Sequence, residues 1–248
     1  MRGALDLLYS LRIKLGRALA WSNAAWPPHL NGTGIEIGAH DRPIPGIHAF
    51  QVDRYREYAG RACPVHVVAD AGRLPFRDSS LDFVATSHLL EHLPDPAAAI
   101  VEWFRVTRPG GVVYMIVPDR RLTFDRGRAR TGVDHLLDDF ARGTGATDPT
   151  HIDEFLDRVE LARVYPEVPA DRLDAFREEQ RAAFHRGVRE GFEINIHFHV
   201  FESADLLALL EALAAHPDAR LRYDLLEVRQ FFPPARGDGF LVAARVRK

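Results

Sequence analysis

The sequence predicts an α/β fold, a mostly parallel sheet with crossover helices and a helical insertion after its fifth strand. Three observations carry this. Short apolar runs alternate with helical patterns from about residue 34 to 117. A stretch rich in Arg, Asp, Glu and His, 118–200, abandons that rhythm, and a helix followed by two strands restores it between 203 and 246. With 248 residues the chain can hold one such domain with a sizeable core and a modest insertion.

Residues 1–31 read as an N-terminal helical segment, with Leu5, Leu8, Leu11, Leu15 and Leu19 at helical spacing. Asp6, Arg12, Lys14 and Arg17 interrupt the run, so it can neither span a bilayer nor serve as a signal-peptide core. A helix laid against the domain is expected, and its mostly basic polar face leaves a membrane-surface or partner helix as the alternative. Strands are expected at 34–38, 49–53, 65–69, 81–86 and 112–117. A helix at 94–107 buries Ile100, Val101, Phe104 and Val106, with Pro94 and Pro96 tolerated only near its first turn. Pro109-Gly110-Gly111 should stop that helix and turn the chain into the fifth strand. Within the insertion a helical pattern spans 170–187, and another covers 134–139. Ser203 is placed to cap a helix through about Ala215 that buries Leu206, Leu207, Leu209, Leu210 and Leu213. Strands at 221–229 and 240–246 close the fold. The expected organisation is a Rossmann-like domain made of 32–117 and 201–248, with 118–200 as an insertion that forms the acceptor site.

Composition narrows the partners. A hydrophobic fraction of 46% and a charged fraction of 27% are ordinary for a globular chain. The formal charge of −3 gives no global reason to expect nucleic acid. Cys63 is the single cysteine, which excludes an internal disulfide and a thiolate metal cage. A cytoplasmic setting is the matching expectation. Oligomeric state cannot be read.

The informative stretch is Gly34-Ile-Glu-Ile-Gly-Ala-His-Asp41. An apolar strand runs into a glycine that lets backbone pass close to a ligand at the strand's carboxyl end, where open α/β sheets bind. The GxGxxG of a dinucleotide site is missing. Asp53 ends the second strand, where a carboxylate can accept from both hydroxyls of a ribose. Asp70 follows the third in Ala69-Asp-Ala-Gly-Arg-Leu-Pro-Phe76 and can accept from an adenine amino group. The fourth runs into Ser87-His-Leu-Leu-Glu-His-Leu93.

The order GIEIGA, VD, ADAGRLPF, LDFVATSHLLEHL, RVTRPGGVVYMIVPD resembles the class I S-adenosylmethionine methyltransferases of the type 11 kind, closely over about 32–119. The resemblance implies a seven-stranded sheet with an antiparallel last strand and S-adenosylmethionine as cofactor. By position it implies Glu36, Gly38 and Ala39 at the methionine end and Asp53 at the ribose. Asp70 and Ala71 would hold adenine, with Ser87 and His88 beside the sulfonium. The chain departs from the family at His40 and Arg42, where glycine is common.

Methyl transfer to a hydroxyl needs a base or a metal to remove the proton. His135, Asp138 and Asp139 share one face of a helical pattern. In INIHFHVF, His197 and His199 sit two apart and would point the same way on an extended segment. His135, His197 and His199 are therefore the candidate bases. Asp119, Asp138 and Asp139 are the candidate ligands of a divalent cation such as Mg2+, which favours oxygen donors. His151, beside Asp153 and Glu154, reads as a solvated or capping residue. Arg120, Arg121, Arg126, Arg128 and Arg130 crowd the entrance and suit an anionic or polyhydroxylated acceptor, the alternative being a solvated loop paired with Asp119 and Asp125. VPDRRLTFDR and HFHVF are loosely similar to bacterial, including mycobacterial, polysaccharide O-methyltransferases. The expected activity is transfer of a methyl group to a sugar hydroxyl of an oligosaccharide or glycosylated small molecule. A small aromatic or lipid acceptor, a non-catalytic scaffold and a nucleic-acid substrate are the competing readings.

Overall fold

The computed structural model describes residues 29–58, 60–234 and 236–247, so the helix expected from Leu5 to Leu19 lies outside the described residues, as does all of the 1–31 segment but its last three positions. The main-sheet strands in the first half are β1 (Gly34–Ile37), β2 (Ala49–Asp53), β5 (Val67–Val68), β6 (Leu81–Ser87) and β7 (Thr107–Pro118). A small hairpin, β3 (Glu57–Tyr58) and β4 (Arg61–Ala62), sits between β2 and β5. After the insertion come β8 (Tyr223–Phe232) and β9 (Gly239–Val246). The seven-stranded order is β5-β2-β1-β6-β7-β9-β8. All pairs from β5 to β7 are parallel, and β9 is antiparallel to both β7 and β8.

The crossovers differ from expectation. One helix, α1 (Pro96–Val106), joins β6 to β7, whereas loops and turns join β1 to β2, β2 to β5 and β5 to β6. Helix breakers explain this: Gly38, Pro43, Pro45 and Gly46 in the first connection, Gly60 and Pro64 in the second, Gly72 and Pro75 in the third. Asp95 caps α1 by accepting the Ala98 N–H at 2.8 Å, with Pro96 at the first helical position, where its missing N–H costs nothing. Pro109-Gly110-Gly111 does not separate helix from strand. Strand β7 begins at Thr107, and the register shift between Leu81 and Phe83 absorbs the extra residues.

Alternation along β7 divides the core. Val113, Met115 and Val117 pack with α1 and with α6 (Ser203–Ala215), whose Leu206, Leu209, Leu210 and Leu213 are fully buried. Val112, Tyr114 and Ile116 pack on the opposite face with Phe83, Ala85 and Leu241. The cap of α6 is Glu202 and not Ser203. Asp205 accepts the Glu202 N–H at 2.8 Å and the Glu202 side chain closes the box, so the carboxylates displace the weaker hydroxyl.

The insertion holds α2 (Val133–Arg142), α3 (Ile152–Arg158), α4 (Leu161–Val164) and α5 (Leu173–Arg189). Helix α2 sends Leu136 into the main core. Helices α3 and α4, with the extended segment 194–198, build a separate cluster from Ile152, Phe155, Leu156, Val159, Leu161, Ile194, Ile196 and Phe198. Among the described residues no helix is long and apolar enough to cross a membrane.

Candidate functional site

Parallel pairing brings the carboxyl ends of β1, β2, β5 and β6 to one edge, with Ile37 opposite both Val52 and Thr86, and Asp53 opposite Val68. Gly38, Ala39, Asp53, Asp70, Ala71, Ser87 and His88 all follow or end those strands. Gly38 takes φ 70°, and a Cβ there would come within 2.8 Å of the Leu89 side chain. His40 holds φ 53°, the left-handed backbone that glycine enters freely, which accounts for a loop closing without glycine at that position. Its Nδ1 meets Asp41 Oδ1 at 3.1 Å, and Arg61 reaches Asp41 Oδ2 at 2.8 Å from the hairpin. These contacts hold the Asp41 carboxyl down at about 2, the His40 hydrogen bond first and the Arg61 one next. Arg42 is exposed and lies 3.5 Å from Asp41.

Glu36 is fully buried and accepts from the Ile44 N–H at 2.7 Å and from Gln51 Nε2 at 3.0 Å, which ties down the β1–β2 loop. Burial raises its pKa. Asp53 is half-buried and its Oδ1 accepts the Tyr55 N–H at 3.1 Å. Asp70 Oδ1 accepts the Gly72 N–H at 2.7 Å, and Arg54 Nε lies 3.5 Å from Oδ2. The buried Ala71 offers its carbonyl to Trp103 Nε1 at 3.0 Å. Glu193, from the insertion, reaches this edge by pairing with Arg54 and accepting from Tyr55 Oη at 2.7 Å.

Next to this edge, beyond the ends of β6 and β7, lies a cavity of about 310 Å³. His88, Glu91 and His92 come from the turn after β6. Thr123 and Phe124 follow β7, His197 comes from the extended segment, and Arg236 and Asp238 from the β8–β9 connection. His88 has φ 53° and its N–H bonds the Ile116 carbonyl at 2.9 Å, which fixes its backbone beside the end of β7. Burial lowers the His88 pKa to about 4, and it lowers that of His92 to about 3. Glu91 is 1% exposed, and neither carboxylate oxygen has a hydrogen-bond partner among the described residues. Burial pushes its pKa up to about 7. His197 Nδ1 lies 2.6 Å from Asp125 Oδ2. Asp125 also meets Arg128 at 3.0 Å, and the buried Arg128 donates to the His197 carbonyl at 2.8 Å.

The two histidines of INIHFHVF go to different places. His199 joins His135, Asp139 and His151, whose ligand atoms all lie within 4.8 Å of one another. Those of Glu91, His92 and His197 do likewise inside the cavity. Either set suits a transition metal, since imidazole nitrogens are poor donors to magnesium. Asp119 and Asp138 are not brought to either set. Asp119 caps the turn after β7 and binds Arg121, while Asp138 is exposed. The arginines are also engaged: Arg120 with Glu202, Arg121 with Asp119, Arg126 with Glu160, Arg128 with Asp125 and Glu154, and Arg130 with Asp205. These pairs tie the insertion to itself and, through Glu202 and Asp205, to the start of α6.

Sequence reasoning missed Glu91, His92, Asp125 and the reach of His151. The available signal was a Glu-His pair flanked by leucines in Leu89-Leu-Glu-His-Leu93, which buries charge if the leucines are core. His151 does precede the first turn of α3, and its side chain makes no cap hydrogen bond there.

Residues 46–115 match a family model described as a methyltransferase domain. Among curated proteins, a probable S-adenosylmethionine-dependent methyltransferase of Mycolicibacterium smegmatis is 47% identical over 22% of this chain and 21% of its own. An uncharacterized methyltransferase of a Mycobacterium species is 43% identical over 43% of this chain and 42% of its own. A ubiquinone biosynthesis O-methyltransferase of Pectobacterium atrosepticum is 26% identical over 55% of this chain and 52% of its own. The matches thus span about half or less of these relatives.

Proposed function

We propose that this chain, which carries a class I methyltransferase domain, is an S-adenosylmethionine-dependent enzyme that methylates a hydroxyl oxygen of a sugar. The observation that supports this reading best is the cavity beside the cofactor edge. It combines a histidine–aspartate pair with buried polar atoms that make no hydrogen bond among the described residues.

The edge fits the cofactor. Among the described residues the Asp53 side chain makes one hydrogen bond, through Oδ1, so Oδ2 remains to accept from ribose hydroxyls. Asp70 stands one strand further out for the adenine side, and Gly38 keeps the β1 end clear of a side chain. Ser87 and His88 stand at the end of β6, and His88 also lines the cavity. When bound, S-adenosylmethionine supplies an electrophilic methyl group on its sulfonium.

In the cavity the protein's task is to orient the acceptor and take its proton. A carboxylate only accepts, so Asp125 Oδ2 fixes the His197 proton on Nδ1 and leaves Nε2 bare. Nε2 is then the base for the acceptor hydroxyl, and Asp125 stabilises the imidazolium that forms. Glu91, His88 Nε2 and Asp238 Oδ1 have no hydrogen bond among the described residues, their nearest charged neighbours standing 3.8 Å away, and would be satisfied by several hydroxyls at once. This favours a polyhydroxylated acceptor over an apolar aromatic or lipid one. The relative named as an O-methyltransferase supports oxygen as the receiving atom.

The test is calorimetric titration with S-adenosylhomocysteine, followed by transfer of labelled methyl groups from S-adenosylmethionine to parallel panels of sugars and phenols. Micromolar binding with label on a sugar supports the reading. Label on phenols alone overturns the acceptor, and no cofactor binding overturns the enzyme.

A further inference from the structure

We propose that His135, Asp139, His151 and His199 form a closed four-ligand site for a zinc-type divalent cation, which ties α2, packed on the main core, to the satellite core built around α3.

The hydrogen-bond polarity of the cluster demands a cation. His199 Nδ1 lies 3.1 Å from the Leu93 carbonyl, which can only accept, so the ring's proton is on Nδ1. Its Nε2 nonetheless faces Asp139 Oδ2 at 3.0 Å, lone pair against carboxylate. His151 repeats the pattern. Thr150 gives its hydroxyl proton to Asp148, so Thr150 Oγ1 accepts from His151 Nδ1 at 3.1 Å. His151 Nε2 is then bare too, at 2.9 Å from His135 Nε2 and 3.6 Å from Asp139 Oδ2. A neutral His135 brings one proton at most to a point where three other acceptors meet, His199 Nε2, His151 Nε2 and Asp139 Oδ2. Protonating the rings instead is costly, since His199 is 0% and His151 5% exposed.

The surroundings are those of ligands held in place from behind. His199 is oriented by the Leu93 carbonyl and His151 by Thr150. Asp139 Oδ1 accepts from Thr144 Oγ1 at 2.8 Å and from Arg142 at 2.7 Å, which keeps Oδ2 for the centre. Bonds of about 2.0–2.1 Å in a tetrahedron put ligand atoms roughly 3.3 Å apart. The separations of 2.9, 3.0, 3.2 and 3.6 Å bracket that value. Three imidazoles and one carboxylate select zinc over magnesium or calcium.

Four protein ligands leave no open position, which marks a structural site. His135 and Asp139 stand on α2, which packs into the main core, whereas His151 opens α3 in the satellite core. His199 ends the segment that carries His197 into the cavity.

The test is zinc titration of chelator-treated protein, read by bound-metal content and by melting temperature, for wild type, His135→Ala and Asp139→Asn. His135 is half exposed, so its alanine variant is expected to fold, which circular dichroism checks. Both variants should bind one equivalent of zinc less than wild type. Zinc at about a hundredfold over Kd should raise the wild-type melting temperature by roughly 5–10 °C, with no such rise from magnesium. Absence of stoichiometric zinc in wild type, or equal zinc content in wild type and His135→Ala, overturns the proposal.

Discussion

Nδ1 of His197 and Oδ2 of Asp125 meet at 2.6 Å across 72 residues of sequence. The contact sets the tautomer of a histidine that enters the cavity with a hydrogen-bonded carboxylate behind it. His197→Ala should lower turnover by about 10²–10⁴-fold, the usual contribution of a general base. Affinity for S-adenosylhomocysteine should stay within about twofold, because the residue is not on the cofactor edge. Unchanged turnover would remove His197 from catalysis.

Asp53→Ala should weaken S-adenosylhomocysteine binding by about 1–3 kcal/mol, the worth of hydrogen bonds to a charged acceptor. Calorimetry measures this directly. An unaltered dissociation constant would move the ribose away from the end of β2.

Glu91 predicts a trade between stability and activity. A buried carboxyl without partners costs about 1–3 kcal/mol, so Glu91→Leu should raise the unfolding free energy by about that amount while abolishing turnover. Urea denaturation reads the first and methyl transfer the second. A variant that is destabilised and still active would show that Glu91 serves the fold and not the site.

Asp41 gives a pH dependence. Its carboxyl is held at about 2 in the folded chain, chiefly by His40 and then by Arg61, against an ordinary 3.8. A depressed carboxylate adds stability that is complete above pH 4 and lost as pH falls toward 2. Melting temperatures between pH 5 and pH 2 should fall less steeply for Asp41→Asn than for wild type. Parallel slopes would mean that the His40–Asp41–Arg61 group contributes nothing to the acid limb.

The strand ends proposed for the cofactor were legible because they are local: Asp53 ends β2, Gly38 and Asp70 follow β1 and β5, and parallel pairing aligns strand ends whatever the loops do. The loops themselves were less legible. Crossover helices were expected where prolines and glycines in fact keep the chain irregular. The cavity and the histidine cluster depend on contacts between distant segments. His199 pairs with Asp139 and His197 with Asp125, although the two histidines share one extended segment and alternation alone sends both to one side. Of the five arginines, Arg121 and Arg128 pair with Asp119 and Asp125, as the paired-loop alternative expects, and the carboxylates the sequence could not bring to the run are Glu154, Glu160, Glu202 and Asp205.

The place of the insertion also bears on how the chain reaches this fold. Strand β7 lies mid-sheet, and its partner β9 arrives only after the whole insertion, with Pro118 opposite Gly239. Closing a loop of roughly 120 residues costs about 4 kcal/mol of chain entropy before the pairing returns anything. The satellite cluster around Phe155 and Phe198 is assembled within the insertion, so it can condense first and shorten the excursion that β9 must close. Helices α3–α5 would then form early, β9 and β8 late, and the wall of the cavity built from Arg236 and Asp238 would be the last part to exist.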